Sequence, residues 1–294
     1  MKYSGIGGQA VIEGIMMMKG EDYAVAVRRP DKEIEVKKDT YQSITKKAKI
    51  LQLPFVRGVF RFADSMIIGM RSLTYSASFF EDDEDAEPGK FEQFLDRVFG
   101  EKLESAIMAA VLVISFILAI GIFMLLPLGI ANLFKGVITS DHLMAVLEGV
   151  IRIAIFIIYI KLVSRMEDIR RTFMYHGAEH KCINCVEHGH PLTVKYVRES
   201  SKEHKRCGTS FILIVMVISI LMFMVIRVDT IWMRILSRII LVPVIAGISY
   251  EVLQCAGRSN SKFMDLVSRP GMWMQGLTTK EPDDSMIEVA IVAV

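Results

Sequence analysis

Charge in excess of either sign is missing from this chain: 35 Lys and Arg stand against 33 Asp and Glu in 294 residues, a formal net charge of +2. With no basic footprint, no nucleic-acid partner is expected. Charged residues of any kind are scarce, 23% against 52% hydrophobic. Such a composition is too apolar for an ordinary soluble protein of this length. There are only 4 cysteines, three of them in one basic segment, which excludes the disulfide framework of a small secreted domain. The opening Met1-Lys2-Tyr3-Ser4-Gly5 leads into mixed polarity rather than a short apolar stretch with a cleavage site, so no signal peptide is expected. Gly5, Gly7, Gly8 and Gly14 are too widely spread for a phosphate-cradling loop and suit tight turns or close backbone approach.

What the chain does have is long apolar runs. Residues 107–134 carry no charge and exceed the ~20 residues needed to cross a bilayer. Residues 143–163 form a second run, interrupted by Glu148 and Arg152, an i,i+4 pair able to neutralise itself. A short third covers 211–226. The fourth, 235–250, is entered through Arg234 and Arg238 and bent at Pro243 and Gly247. Between the first two, residues 136–142 contain no Lys or Arg, whereas 165–209 carry nine. The basic segment is therefore expected in the cytoplasm, and with four spans both termini as well.

The remaining pieces give the expected organisation. Residues 1–80 hold a β-hairpin, from alternation around Pro30-Asp31, and an amphipathic helix over 53–80. In that helix Arg57, Arg61, Asp64 and Arg71 recur at three- and four-residue steps. It suits the bilayer interface, with a salt-bridged soluble helix as the rival reading. Residues 81–90 are an acidic linker; 91–164 an amphipathic helix and the first two spans; 165–209 a cytoplasmic His/Cys-rich loop; 210–256 the last two spans. In the tail, 257–294, a short apolar helix follows a cap near Thr279 or Lys280. The fold class is thus a membrane α-helical protein with a small α+β cytoplasmic domain, assembled from the N-terminal region, the central loop and the C-terminal tail.

Five of the 6 histidines and three of the 4 cysteines fall within 165–209. At its centre, Tyr175-His176-Gly177-Ala178-Glu179-His180-Lys181 contains H-x-x-E-H. Residues four apart on a helix share a face, so His176 and His180 can bind one metal, with Glu179 as the base activating a bound water. The plain alternative is a polar helix face that binds nothing. Two wirings stay open. In the first, His176 and His180 take a third ligand from Glu251, His204 or Cys207, leaving a position for water. In the second, Cys182, Cys185, His204 and Cys207 form a closed structural ribbon.

Several motifs resemble one family. They are Gly7-Gly8-Gln9-Ala10-Val11-Ile12-Glu13-Gly14 with Met16-Met17, the His176 to Lys181 segment, Arg206-Cys207-Gly208-Thr209-Ser210-Phe211, Ser249-Tyr250-Glu251, and Pro270-Gly271 through Gln275 to Thr279. Together they resemble the YqhQ-like bacterial membrane proteins, a family of unknown function labelled as predicted metal-dependent enzymes. The resemblance implies a multi-pass protein of the bacterial plasma membrane. It carries over His176, Glu179, His180, His204 and Cys207, while positions 182 and 185 are not usually both Cys in the family, which favours the first wiring. Lys205 and Met18 depart from the family pattern, and His188 and His190 are local additions. The expected function is a Zn2+-dependent hydrolase, Glu179 catalytic, acting on a substrate at the membrane surface. The alternative is a non-enzymatic scaffold or biogenesis factor docking a protein partner, with the lipid bilayer as common surroundings.

Overall fold

In the computed structural model, residues 3–80, 103–226, 230–258 and 261–294 are described. The chain divides into two units, residues 1–80 with 160–294, and residues 81–159. The first unit opens on four antiparallel strands in sequential order: β1 (Ile6–Val11), β2 (Gly14–Lys19), β3 (Asp22–Arg28) and β4 (Ile34–Thr40). The expected hairpin around Pro30-Asp31 is β3–β4, with Arg28 paired to Ile34. The glycine-rich opening, read as turns, is instead a second hairpin. Ile12 and Glu13 form its loop, Glu13 at φ 48, in the left-handed region that tight loops use. No alternation announces β2 because both its faces are covered.

Ile15, Met17 and Ala26 on one face of the sheet join Tyr175, Ala178, Cys182, Ile183, Met286 and Ile287 in one core. Val11, Met16, Val25 and Val27 on the other face join Ile68. The sheet is thus a middle layer, with α1 (Val56–Ala77) on one side. On the other lie α5 (Glu167–Glu187), α6 (Val194–Glu199) and α10 (Asp284–Ala293). The expected loop of 165–209 is therefore largely helical.

The inward face of α1 is small and polar. Asp64 is buried there, accepting from Tyr41 Oη (2.9 Å), Ser43 Oγ (2.5 Å) and Ile44 N (3.0 Å). Its outward face carries the apolar side chains Phe62, Met66, Met70 and Leu73, all exposed. This inverts the pattern of a soluble amphipathic helix.

In the same unit α7 (Gly208–Val225) packs on α8 (Ile231–Arg258) and α9 (Lys262–Thr278). Helix α9 was not foreseen in the tail, where Pro270 and Gly271 argue for a break. The start of α10 is also later than expected: Asp283 is the cap, accepting from Met286 N at 3.0 Å. Residues 279–282 are instead an extended strap over α5, where Lys280 N donates to Phe173 O (2.8 Å).

The second unit holds α2 (Leu103–Ile120), a π-helical turn (Gly121–Leu125), α3 (Leu126–Asn132) and most of α4 (Asp141–Val163). Phe123 meets Phe156 and Tyr159 edge-on, at 6.1 and 5.4 Å between ring centres. Glu148 and Arg152 pair at 2.6 Å, as their spacing implied. Four helical segments among the described residues are long and apolar enough to cross a membrane: Val113–Asn132, Asp141–Val163, Gly208–Val225 and Leu236–Gly257. The acidic linker 81–90, and all but the last residue of the amphipathic helix expected over 91–103, lie outside the described residues.

Candidate metal centre

Helix α5 is held at its start by the β1–β2 hairpin. Glu13, in the hairpin loop, accepts two bonds from Arg171 (2.5 and 2.6 Å) and one from Tyr175 Oη (3.2 Å). One turn on, Gly177 leaves room for the strap: a Cβ there would collide with the Lys280 carbonyl. Lys181 clasps the far side, donating to the carbonyls of Arg198 (2.8 Å) and Ser200 (3.0 Å) and pairing with Glu281 (2.6 Å). Asn184 donates to Ser201 O and Glu203 O at 2.7 and 2.9 Å. The segment leading to Cys207 is thereby pinned along α5.

Three ligand-bearing side chains converge. One ligand atom each of His176, His180 and Cys207 lies within 4.8 Å of the others. His176 Nδ1 is 2.9 Å from Thr278 O, and His180 Nδ1 is 2.7 Å from Lys202 O. A carbonyl only accepts, so each Nδ1 carries a proton, and in the neutral ring it is Nε2 that holds the lone pair a metal would use. His176 Nε2 stands 3.2 Å from Cys207 Sγ, itself 3.1 Å from Thr209 Oγ1. Burial holds the imidazole of His180 below its usual pKa, opposed by its bond to Cys207, and so favours the neutral, ligating form.

Glu179 is 5% exposed and packs against the backbone of β1, where a Cβ on Gly8 would lie 2.8 Å from its Cγ. Among the described residues no hydrogen bond reaches its carboxylate. Burial pushes that carboxyl up to about 7, with the His176 charge pulling the other way. A carboxyl so placed can take and release a proton near neutrality.

The other expected ligands lie elsewhere. Glu251 is engaged by Arg57, at 2.7 Å to Oε1 and 2.6 Å to Oε2. His204 stands behind His180, ring centres 5.8 Å apart, with Nε2 3.5 Å from Glu187 Oε2. The same Glu187 takes bonds from Arg206 and from Ser4. Burial alone would raise its carboxyl, but the bonds from His204 and Ser4 and the Arg206 charge outweigh it and hold the group at about 2. The closed ribbon does not assemble. Cys182 Sγ points into the core toward Ala290 O (3.5 Å), where burial pushes its thiol up to about 12. Cys185 Sγ meets Pro191 O at 3.5 Å. Both thiols lie on the side of α5 opposite the His face.

Sequence reasoning missed the supports. Thr278 and Lys202 act through backbone carbonyls, which no residue type announces. Gln275 grips His204 at both ends, accepting from its N–H (2.8 Å) and donating to its C=O (2.7 Å). Its visible signal is a lone amide in an otherwise apolar stretch, Met272-Trp273-Met274-Gln275.

Comparison with known proteins places the chain in a family. A family model described as "Protein of unknown function (DUF1385)" matches residues 53–294. The chain belongs to this family. It is also 34% identical over 286 residues, 97% of this chain and 89% of the relative, to "Uncharacterized protein YqhQ" of Bacillus subtilis (strain 168). No solved structure matches. The family match takes in every helix from α1 to α10, including all three convergent side chains, and its description names no activity or cofactor.

Proposed function

We infer that His176, His180 and Cys207 hold one Zn2+ with a coordination position left for water, and that Glu179 is the general base of a hydrolase at the membrane surface. The observation that carries this is the convergence of the three side chains with both histidine Nδ1 atoms tied to backbone carbonyls. Such outer bonds fix tautomer and ring orientation in metal sites. Ligand atoms around tetrahedral zinc stand about 3.5 Å apart, given bonds of about 2.0–2.3 Å. The 3.2 Å from Nε2 to Sγ and the 4.8 Å limit on the group bracket that spacing. When bound, the metal supplies Lewis acidity and a water of lowered pKa.

Glu179, one turn from His176 and walled off by Gly8, receives the proton and delivers it to a leaving group. Thr278, Lys202 and Gln275 keep the imidazoles and the 202–207 segment in place. Substrates of this class are peptide, ester or lipid-headgroup bonds presented at the bilayer. The four apolar helices support insertion in a bacterial plasma membrane, and the basic residues of 165–209 support a cytoplasmic site and termini. The apolar tail that would recommend a docking scaffold is occupied within the chain: Met286, Ile287, Val289 and Ala290 are fully buried.

Elemental analysis of detergent-purified protein tests the reading. Wild type and the Cys182→Ser/Cys185→Ser double variant should carry close to one zinc per chain; His176→Ala, His180→Ala and Cys207→Ser should lose it. Glu179→Gln should keep zinc and lose hydrolysis. Zinc absent from wild type, or lost with the Cys182/Cys185 pair, overturns the assignment.

A further inference from the structure

A second site lies on the other side of β1. Gly8 has its Cα face against Glu179, while its backbone borders a cavity of about 500 Å³, a size typical of small-molecule sites. Gln9 and Met16 of the sheet, Lys46 ahead of α1, Arg61 and Ser65 of α1, and Tyr250 of α8 contribute to its walls. Its charges sum simply. Lys46 is neutralised by Glu21, which also lines the cavity, at 2.5 Å. Among the described residues the Arg61 guanidinium makes neither ion pair nor hydrogen bond. The cavity therefore offers one uncompensated positive charge, with the Gln9 amide on the same wall.

The mouth continues into an apolar stripe. At 100° per residue, Arg61, Ser65 and Ile68 form one row on α1, and Phe62, Met66, Met70 and Leu73 form the next, a little over a third of a turn round, with Phe62 nearest to Arg61. The first row lines the cavity and the second is exposed. Helix α1 lies along the C-terminal end of α8. Gly58 abuts Gly247 and Tyr250, and the Phe62 ring is 5.7 Å from that of Phe211 at the start of α7. A charged pocket beside an apolar stripe, at the ends of two membrane-length helices, matches an amphiphile with a monoanionic head.

We propose that this cavity binds the headgroup of an anionic phospholipid, its phosphodiester on Arg61 and its chains along the outward stripe of α1. A planar guanidinium pairs with phosphate oxygens in two-point fashion, and one net positive charge matches one phosphodiester. The inference rests on α7 and α8 crossing a bilayer, and is independent of the metal.

The test is the thermal unfolding midpoint of the full chain in detergent, titrated with dioctanoyl phosphatidylglycerol, dioctanoyl phosphatidylcholine or inorganic phosphate. Wild type should show a saturable upward shift with phosphatidylglycerol only. Arg61→Ala should raise the half-saturating concentration at least tenfold, Ser65→Phe should do the same by plugging the mouth with the charge kept, and Lys195→Ala, a surface cation elsewhere, should change nothing. Equal shifts with phosphatidylcholine, or wild-type binding by Arg61→Ala, overturn the proposal. Inorganic phosphate acting at the same concentration would make this a soluble-anion site, which also overturns it. Recovery of the chain without detergent would instead remove the membrane reading on which it rests.

Discussion

Glu187 shows how single residues hold the candidate centre in place. Buried behind His180, it joins the N-terminal Ser4 to His204 and Arg206. Its carboxyl lies near 2 in the folded chain against an ordinary 4.5. A depressed folded-state pKa contributes stability that is complete above about 4.5 and is lost as pH falls toward 2. Glu187→Gln should therefore lower the unfolding free energy by on the order of 1–3 kcal/mol at pH 7. The gap to wild type should be unchanged at pH 5.5 and should close progressively below 4.5. Thermal unfolding of both proteins across that range checks it, because groups they share cancel in the difference. A gap that stays constant down to pH 3.5 would mean that Glu187 acts through packing alone. At this scale the sequence was legible where side-chain type carries the signal: His176, His180 and Cys207, which the structure brings together, were all among the residues named as candidate ligands. It was silent on Thr278 and Lys202, whose contribution is a carbonyl oxygen, and misleading on Glu251, whose type suits a ligand but whose neighbour in space is Arg57.

Among the elements, α5 organises the rest, because each face of it meets a different partner. The His face meets residues 202–207 and the end of α9, the Cys182 face meets α10 and the sheet, and Gly177 admits the strap between α9 and α10. The strap and α10 are thus part of the site's support although neither contributes a ligand. Ile287→Ala, which opens a void at a fully buried position, should destabilise by about 2–5 kcal/mol. Val292→Ala on the exposed face of the same helix should stay within about 0.5 kcal/mol. Comparing their unfolding midpoints in detergent checks this, and equal effects would show that α10 is not docked as described. The elements that sequence patterning missed share a cause. β2 is covered on both faces, so the period of two does not survive in it, and α9 buries Ser268, Gln275 and Thr278 while exposing Phe263, Leu266 and Trp273, so its apolar residues do not mark its inward face. β4 and α1, each with one open face, were legible.

For the whole molecule, α7 starts at Gly208, next to Cys207, and runs to Val225, about 27 Å at 1.5 Å per residue, and α8 returns along it with Arg238 over Phe223 and Gly257 against Arg206, so the end of α7 and the start of α8 lie away from the candidate centre. If α7 and α8 cross a bilayer with 165–209 in the cytoplasm, residue 230 emerges on the opposite side from residue 195. Three of the native cysteines, at 182, 185 and 207, are buried, and Cys255 is exposed. A Cys255→Ser background therefore gives little labelling of its own. In that background, Thr230→Cys should react with a membrane-impermeant maleimide on intact cells. Lys195→Cys should react only after permeabilisation. The reverse pattern would put the His176–His180–Cys207 centre outside the reducing compartment, where the Cys207 thiol would be open to oxidation rather than held ready as a ligand. Labelling of both positions on intact cells would show that α7 and α8 do not cross a membrane at all. Their exposed apolar side chains would then need another cover, because outward surfaces carrying Val217, Leu221, Ile239, Ile240 and Val242 far exceed the scattered apolar residues a soluble monomer tolerates.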